Sequence, residues 1–472
     1  MSFVIISTPF RFGVVSGGFT RNSKVVPYLT RLLRNYTNNI ILYIPAGILR
    51  IGAELLSRNL NIPIEDAYEV LYKDLKSFIL ENNINKISIE LLNLSIPRIL
   101  SYDIKLNNLS KLNKLFHDKV IGFGPFYVFE HLHFENIDYL INSVDLSIGV
   151  YSTGENLGFL YPLYKISKGL HSFAFLLIQL QLLYDRIITY STLFNSFKNP
   201  RRLIRNVSFD YFNMYVEHLL KGLLRSNLLK LILGVSPAVF LSQRFLSMVK
   251  RYGAKLSVPF PANAVDEWIF RFRKVEGKDD LAVFFARLTP NKGIFELLRA
   301  WKIIEDMLPN AKLRIMGMFE SEKHRTEFFK LMSKLNLRNV EFLGFVKDRE
   351  ELYRLVSEAK VLIYPSHEDS YSLTILEALS LGNAVVAYGI PAIRWVYSGL
   401  PNVRIVREGD YKALARESIK ILRMPEREYV ELHENDVVRR FLELHSSWEN
   451  VARTEFNLLR PYIEESLGRV RR

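Results

Sequence analysis

Short runs of β-branched and aliphatic residues recur along the chain, each followed by a longer stretch whose apolar positions keep helical spacing. That alternation is how the βα units of a parallel sheet read. A first series of predicted strands covers residues 3–7, 40–44, 120–123, 146–151, 231–235 and 255–258. A second covers residues 281–286, 312–316, 340–343, 361–364, 384–387 and 403–406. Two doubly wound, Rossmann-like α/β units in tandem are the simplest account. Between the two series, residues 259–280 combine Pro259 and Pro261 with a charged cluster (Arg271, Arg273, Lys274, Glu276, Lys278, Asp279, Asp280) that no core element would carry together. The domain boundary is placed there, at 275/276.

One stretch departs from the alternation. Residues 169–184 (GLHSFAFLLIQLQLLY) carry no charge, but they fall short of the roughly 20 residues that a spanning helix needs. They predict a buried helix, with a helix at a membrane surface as the alternative, since Lys198, Arg201, Arg202 and Arg205 follow closely.

Composition narrows the class. The 472 residues are 49% hydrophobic and 13% aromatic, enough to build sizeable cores, which excludes wholesale disorder. The net charge of +14 invites a nucleic-acid reading, but it is local. Residues 1–50 hold 6 basic and no acidic side chains, residues 151–250 hold 12 and 4, and the rest of the chain balances. No nucleic-acid motif accompanies these residues, so nucleic acid is not an expected partner. The absence of cysteine excludes disulfides and thiolate chemistry and fits a cytoplasmic setting. The apolar start at residues 3–6 breaks at Thr8 and Pro9, so no signal peptide is expected.

Two segments carry candidate chemistry. Ala286-Arg287-Leu288-Thr289-Pro290-Asn291-Lys292-Gly293 joins a predicted strand to a helical run, the position where doubly wound folds bind ligands. Arg287 and Lys292 flank that turn and could clamp a diphosphate. The second segment, Pro365-Ser366-His367-Glu368-Asp369-Ser370-Tyr371-Ser372-Leu373-Thr374-Ile375-Leu376-Glu377-Ala378, follows another strand. Asp369 stands just before its predicted helix and Glu377 about two turns further on. The amides of Ser370 to Leu373 would point at the same ligand. Near the amino terminus, Ser16-Gly17-Gly18 lies between the first strand and a helical run, where glycine lets backbone approach a ligand.

Taken together, these segments resemble the carboxyl-terminal domain of GT-B glycosyltransferases of the group 1, or family 4, type, and VEFLGFVKDREELYRLVSEAKVLIYPS and LGNAVVAYGIP agree. The resemblance implies two Rossmann-like domains facing a central cleft: residues 1–275 for the acceptor, 276–445 for the nucleotide-sugar donor, and 446–472 as a closing helix with Trp448 as its anchor. It makes Arg287 and Lys292 binders of the donor diphosphate, Glu377 the acid that accepts hydrogen bonds from the ribose, and Asp369 the acid that meets the donor sugar. Gly344 and Phe345 would lie along the nucleobase, Gly17 and Gly18 would face the donor, and His131, with His133 beside it, is the nearest match to a histidine that touches the sugar. Ser370-Tyr371-Ser372 stands where the family commonly has Gly-Phe-Gly, and Asp369 where Glu is usual. Both departures bear on donor choice.

No two aspartates are two residues apart, so no Asp-x-Asp metal site is expected and no cofactor is implied. Protein cations and a helix terminus would then neutralise the leaving nucleoside diphosphate. The resemblance further implies retention of configuration and a UDP-, GDP- or ADP-linked donor. The expected function is sugar transfer to a glycan or lipid-linked acceptor, with peripheral membrane contact through the local basic residues. The alternative is a catalytically weakened nucleotide-sugar-binding subunit.

Overall fold

The computed structural model describes residues 220–240 and 243–470. Before them it describes segments 2–6, 17–37, 39–44, 62–67, 92–93, 122–123, 126–127, 147–152 and 173–178, with residues 57, 69, 70 and 163. His131, His133, Arg201, Arg202 and Arg205 lie outside the described residues. The chain divides into two compact units. The first comprises residues 1–235, 239–262 and 452–472, and the second residues 236–238 and 263–451, so the division falls at Ala262/Asn263, ahead of the 275/276 boundary read from sequence.

The first unit is built on β1 (Ser2–Ile6), β2 (Asn39–Ile44), β3 (Leu92–Asn93), β6 (Ser147–Ser152), β7 (Phe173–Ile178), β8 (Leu229–Gly234) and β9 (Lys255–Ser257), all parallel, in the order β3-β2-β1-β6-β7-β8-β9. Helix α1 (Gly17–Leu33) follows β1, and α2 (Gln243–Tyr252) precedes β9. Two expectations are corrected here. Residues 169–184 were expected as a helix, yet residues 173–178 form strand β7 between β6 and β8. A strand flanked on both sides in a parallel sheet reads as a continuous apolar run, which periodicity cannot tell from a short buried helix. Of the strand expected at 120–123, Gly122–Phe123 form β4, paired antiparallel with β5 (Phe126–Tyr127) outside the main sheet, and residues 120–121 lie outside the described residues. In the sequence, the intervening Gly124-Pro125 is a turn signal.

The second unit holds β10 (Asp279–Phe285), α3 (Ile294–Met307), β11 (Lys312–Met316), α4 (Glu322–Lys334), β12 (Val340–Gly344), α5 (Arg349–Ser357), β13 (Ala359–Tyr364), α6 (Leu373–Ser380), β14 (Ala384–Tyr388), α7 (Pro391–Tyr397), β15 (Val403–Val406), α8 (Tyr411–Leu422), α9 (Glu426–His433) and α10 (Asp436–His445). Its six parallel strands run in the order β12-β11-β10-β13-β14-β15. The chain leaves β10 in one direction and returns beyond it at β13, which makes the gap between these two strands the topological switch point. Every residue of β14 and nearly all of β13 are buried, as central strands covered on both faces require.

Helix α11 (Trp448–Val470) starts in the second unit, where the Trp448 indole N–H donates to Asp266 Oδ1 at 2.9 Å, and belongs to the first unit from Ala452 onward. There Phe456, Leu459 and Ile463, one helical stripe, enter the core formed by Phe3, Ile5, Leu29, Leu33 and Phe175. A buried ion pair between Arg21 and Glu455 fixes the helix against α1. Glu455 also accepts from the Tyr151 hydroxyl at 2.9 Å, and Arg21 Nε donates to the Ala262 carbonyl at 2.8 Å. Each charge in that site is thus hydrogen-bonded, the condition under which a buried pair is tolerated. Among the described residues, no helix is long and apolar enough to cross a membrane.

Two histidines of the second unit are buried without charge. Desolvation pulls both His433 and His445 down to about 4. The unfolded chain would take up these protons near pH 6.5, so their contribution to stability is complete above that pH and is lost as pH falls toward 4. Urea unfolding followed across this window should show stability declining with acidification, and the decline should shrink in His433→Gln and His445→Gln. A flat profile between pH 6.5 and 4 would contradict the burial of neutral imidazoles.

Candidate active site

Two loops meet at the switch point. Gly293, which ends the turn after β10, has φ +73, and a Cβ there would stand 2.0 Å from the Pro365 carbonyl oxygen. Only glycine fits. The resulting contact is closed by the His367 amide donating to the Asn291 carbonyl at 2.8 Å and by Asn291 Nδ2 donating to Glu368 Oε2 at 3.1 Å. The loop after β11 joins the same edge. Gly317 packs where a Cβ would meet the Ala286 carbonyl at 1.9 Å, and the Leu288 amide donates to the Met318 carbonyl at 2.9 Å.

That zippering brings Lys292 to Asp369. Lys292 Nζ donates to Asp369 Oδ2 at 2.8 Å, to the Glu368 carbonyl at 3.0 Å and to the Tyr364 hydroxyl at 3.2 Å. The Tyr364 hydroxyl donates to the same Oδ2 at 2.7 Å, with Ser366 Oγ at 3.4 Å. Burial, reinforced by the Asp369 charge, pushes Tyr364 up to about 12, so the phenol stays a neutral donor. Burial works to lower Lys292, but the attraction and hydrogen bonds of Tyr364 and Asp369 outweigh it and its pKa is raised. The ammonium is therefore charged at neutral pH. All three contacts on Asp369 fall on Oδ2, and Oδ1 has no hydrogen bond among the described residues.

Glu377, on α6, is held in the same fashion. Its Oε1 accepts from Arg349 Nη1 at 3.1 Å and from the Tyr353 hydroxyl at 3.1 Å, and Oε2 has no hydrogen bond among the described residues. The Glu377 charge raises the Arg349 pKa, and burial raises that of Tyr353. Both acids are thus fixed through one oxygen and present the other. A ligand would meet aimed acceptors that need no reorganisation to accept its hydroxyls.

Between them lies the amino end of α6. Ser372 is its N-cap, in the left-handed region at φ +64 and ψ +69, and Leu373 opens the helix. The first-turn amides of such a helix lack intrahelical acceptors, and the helix dipole favours an anion there. Ser370 is half-buried beside this tip. Tyr371, expected among the donor-binding residues, turns its ring inward: it is 2% exposed and its hydroxyl lies 2.6 Å from His445 Nε2. Its side chain therefore supports the loop from beneath.

The remaining predicted residues fall as follows. Arg287 stands exposed at the end of β10, with no hydrogen bond or ion pair among the described residues. Gly344 closes β12 at φ +69 and its carbonyl accepts from the Gly317 amide at 2.7 Å, while Phe345 beside it is 48% exposed. Gly17 and Gly18 begin α1 of the first unit, after β1. Sequence reasoning missed Tyr364, Ser366, Arg349 and Tyr353. Tyr364 alone left a signal, as the only polar tip in the VLIY strand, at its carboxyl end.

Lys292, Asp369, Glu377 and the amino end of α6 thus stand at the carboxyl edge of a doubly wound sheet, the position where such folds bind ligands. The whole chain is similar in fold to HepE of Anabaena, solved in complex with UDP and glucose, at 12% identity and a TM-score of 0.56 over 98% of this chain and 100% of that one. Sucrose-phosphate synthase of Thermosynechococcus elongatus matches at 14% identity and a TM-score of 0.56, with the same coverage. The fold is GT-B. Residues 266–435 match the family described as glycosyl transferases group 1. Among curated relatives, the capsular polysaccharide biosynthesis glycosyltransferase CapM of Staphylococcus aureus is 28% identical over 32% of this chain and 39% of its own length. An uncharacterized glycosyltransferase of Methanocaldococcus jannaschii, MJ1607, is 28% identical over 43% of this chain and 53% of its own. The matches span roughly two fifths and half of these relatives' lengths.

Proposed function

We propose that this protein transfers a sugar from a nucleotide-sugar donor to a glycan or lipid-linked acceptor, without a metal and with retention of configuration. The observation that carries the reading is the pair of fixed acids. Asp369, just before α6, and Glu377, within it, are each held through one carboxylate oxygen, and their other oxygens could accept sugar and ribose hydroxyls. Lys292, Arg287 and the α6 amides would neutralise the phosphate charge that grows as the bond from the anomeric carbon to the phosphate oxygen breaks. In a front-side reaction the acceptor oxygen bonds to that carbon from the same face, and its proton passes to the departing phosphate oxygen.

In this reading Lys292 exchanges part of its bond to Asp369 for a phosphate oxygen, and Arg287, exposed and unengaged, moves onto the diphosphate. The departures at Asp369 and Ser370-Tyr371-Ser372 bear on which sugar is taken. Lys292→Ala and Arg287→Ala should each lower kcat/KM by roughly 10²- to 10³-fold while the circular dichroism spectrum is kept. Unchanged transfer would remove both residues from the site. Donor binding without turnover across a broad acceptor panel would favour the weakened-subunit reading.

The acceptor side rests on charge. Residues 218–265 hold seven Lys and Arg and no acidic side chain. Three of the cations gather about Tyr252: Arg225 hydrogen-bonds its hydroxyl at 3.1 Å and holds its pKa below the usual range, with smaller contributions from Arg251 and Lys221. Such a face suits an anionic lipid surface or a phosphate-bearing lipid-linked glycan. The protein should co-sediment with phosphatidylglycerol vesicles, less so at high salt, and Lys221→Gln, Arg225→Gln and Arg251→Gln together should weaken this. Equal sedimentation with neutral vesicles would overturn the membrane assignment.

A further inference from the structure

Ser372 poses a problem of its own. It holds φ +64 at the N-cap of α6, a conformation that glycine adopts freely and a residue with a Cβ rarely does, so something around it must hold it there. Two hydrogen bonds converge on this turn. The Tyr397 hydroxyl donates to the Ser372 carbonyl at 2.8 Å, and Tyr371, the preceding residue, reaches His445.

The proton positions in the second bond follow from its neighbours. His445 Nδ1 lies 2.7 Å from the Phe441 carbonyl, which can only accept, so Nδ1 carries the ring proton. Nε2 is then a lone pair and the Tyr371 hydroxyl donates to it. The imidazole is held on its face by Phe441, with ring centroids 4.1 Å apart, and Tyr371 meets Tyr397 edge-on at 6.3 Å. The His445 carbonyl accepts from the Val265 amide at 2.8 Å, which ties the end of α10 to the segment where the chain enters the second unit.

We infer that Tyr371 and His445 form a positioning pair, whose hydrogen bond holds the Ser370–Leu373 turn in the left-handed geometry that aims the α6 amides at a diphosphate. Neither residue touches the ligand; both act through Ser372. A phenylalanine at 371 could fill the same space but could not anchor the turn, and the anchor matters because residue 372 is not glycine. The diphosphate part of this inference rests on the function proposed above, and the mechanical part does not.

Amide hydrogen exchange of the full chain without ligand reads the mechanical part. Tyr371→Phe should speed exchange across residues 370–374 about tenfold or more, leaving the segments of β14 and α8 unchanged. His445→Gln keeps an acceptor for the tyrosine and should stay near wild type, whereas His445→Phe should behave as Tyr371→Phe does. With Ser372→Gly as the background, the added effect of Tyr371→Phe should fall below about twofold, a coupling that a merely structural role would not give. Unchanged exchange at 370–374, a uniform rise throughout the domain, or an undiminished effect in the glycine background would overturn the inference. Titration with UDP, GDP and ADP separates it from the donor reading. A diphosphate whose Kd rises about tenfold in Tyr371→Phe supports both. One that binds wild type and Tyr371→Phe alike defeats the positioning role alone, and binding of none to wild type, with exchange behaving as stated, defeats the donor reading alone.

Discussion

The second unit's site depends on one close approach, that of Gly293 to the carbonyl of Pro365. Strands β10 and β13 are neighbours in space although 73 residues separate the two ends of that contact's sequence neighbourhood, Asn291 and Tyr364. Their loops can close on each other only if no side chain intervenes, and the missing Cβ at Gly293 meets that condition. Once they close, Lys292 meets Asp369, and the two become one charged, hydrogen-bonded group with Tyr364. Gly317 repeats the device one strand further out, against Ala286. The carboxyl edge of the sheet is thus assembled by backbone contacts, and the functional side chains follow from them.

This ordering explains what the sequence disclosed. The strands of the second unit were legible to within about two residues, because buried strands between amphipathic helices leave a strong alternation. Arg287, Lys292 and Asp369 were legible because they stand in loops between a strand end and a helix start, and Glu377 because of its spacing from Asp369 along the helix that follows. Arg349 and Tyr353 were not. They lie on α5, 28 and 24 residues before Glu377 along the chain, and only the fold places them on its Oε1. The inward turn of Tyr371 was equally hidden, since its partner His445 is 74 residues away. Polar groups that fix other polar groups leave no local pattern.

The first unit was less legible. Strand β7 read as a helix because six apolar residues flanked by neighbouring strands carry no alternation to mark the pleat, and Gly122–Phe123, expected in a strand at 120–123 of the main sheet, pair instead with Phe126–Tyr127. The stripe Phe456, Leu459 and Ile463 that completes its core comes from the far end of the chain, as does Glu455, the partner of Arg21. A unit that closes with distant residues cannot be read from its own stretch of sequence.

The central claim is that the fixed acids, the cations and the α6 terminus form a nucleotide-sugar site that needs no metal. Calorimetric titration of the full chain with UDP, GDP and ADP in EDTA tests it most directly. The account predicts saturable 1:1 binding of at least one of the three, lost in Lys292→Ala and unchanged when EDTA is replaced by magnesium. Binding that appears only with the divalent ion, or that survives Lys292→Ala undiminished, would contradict it.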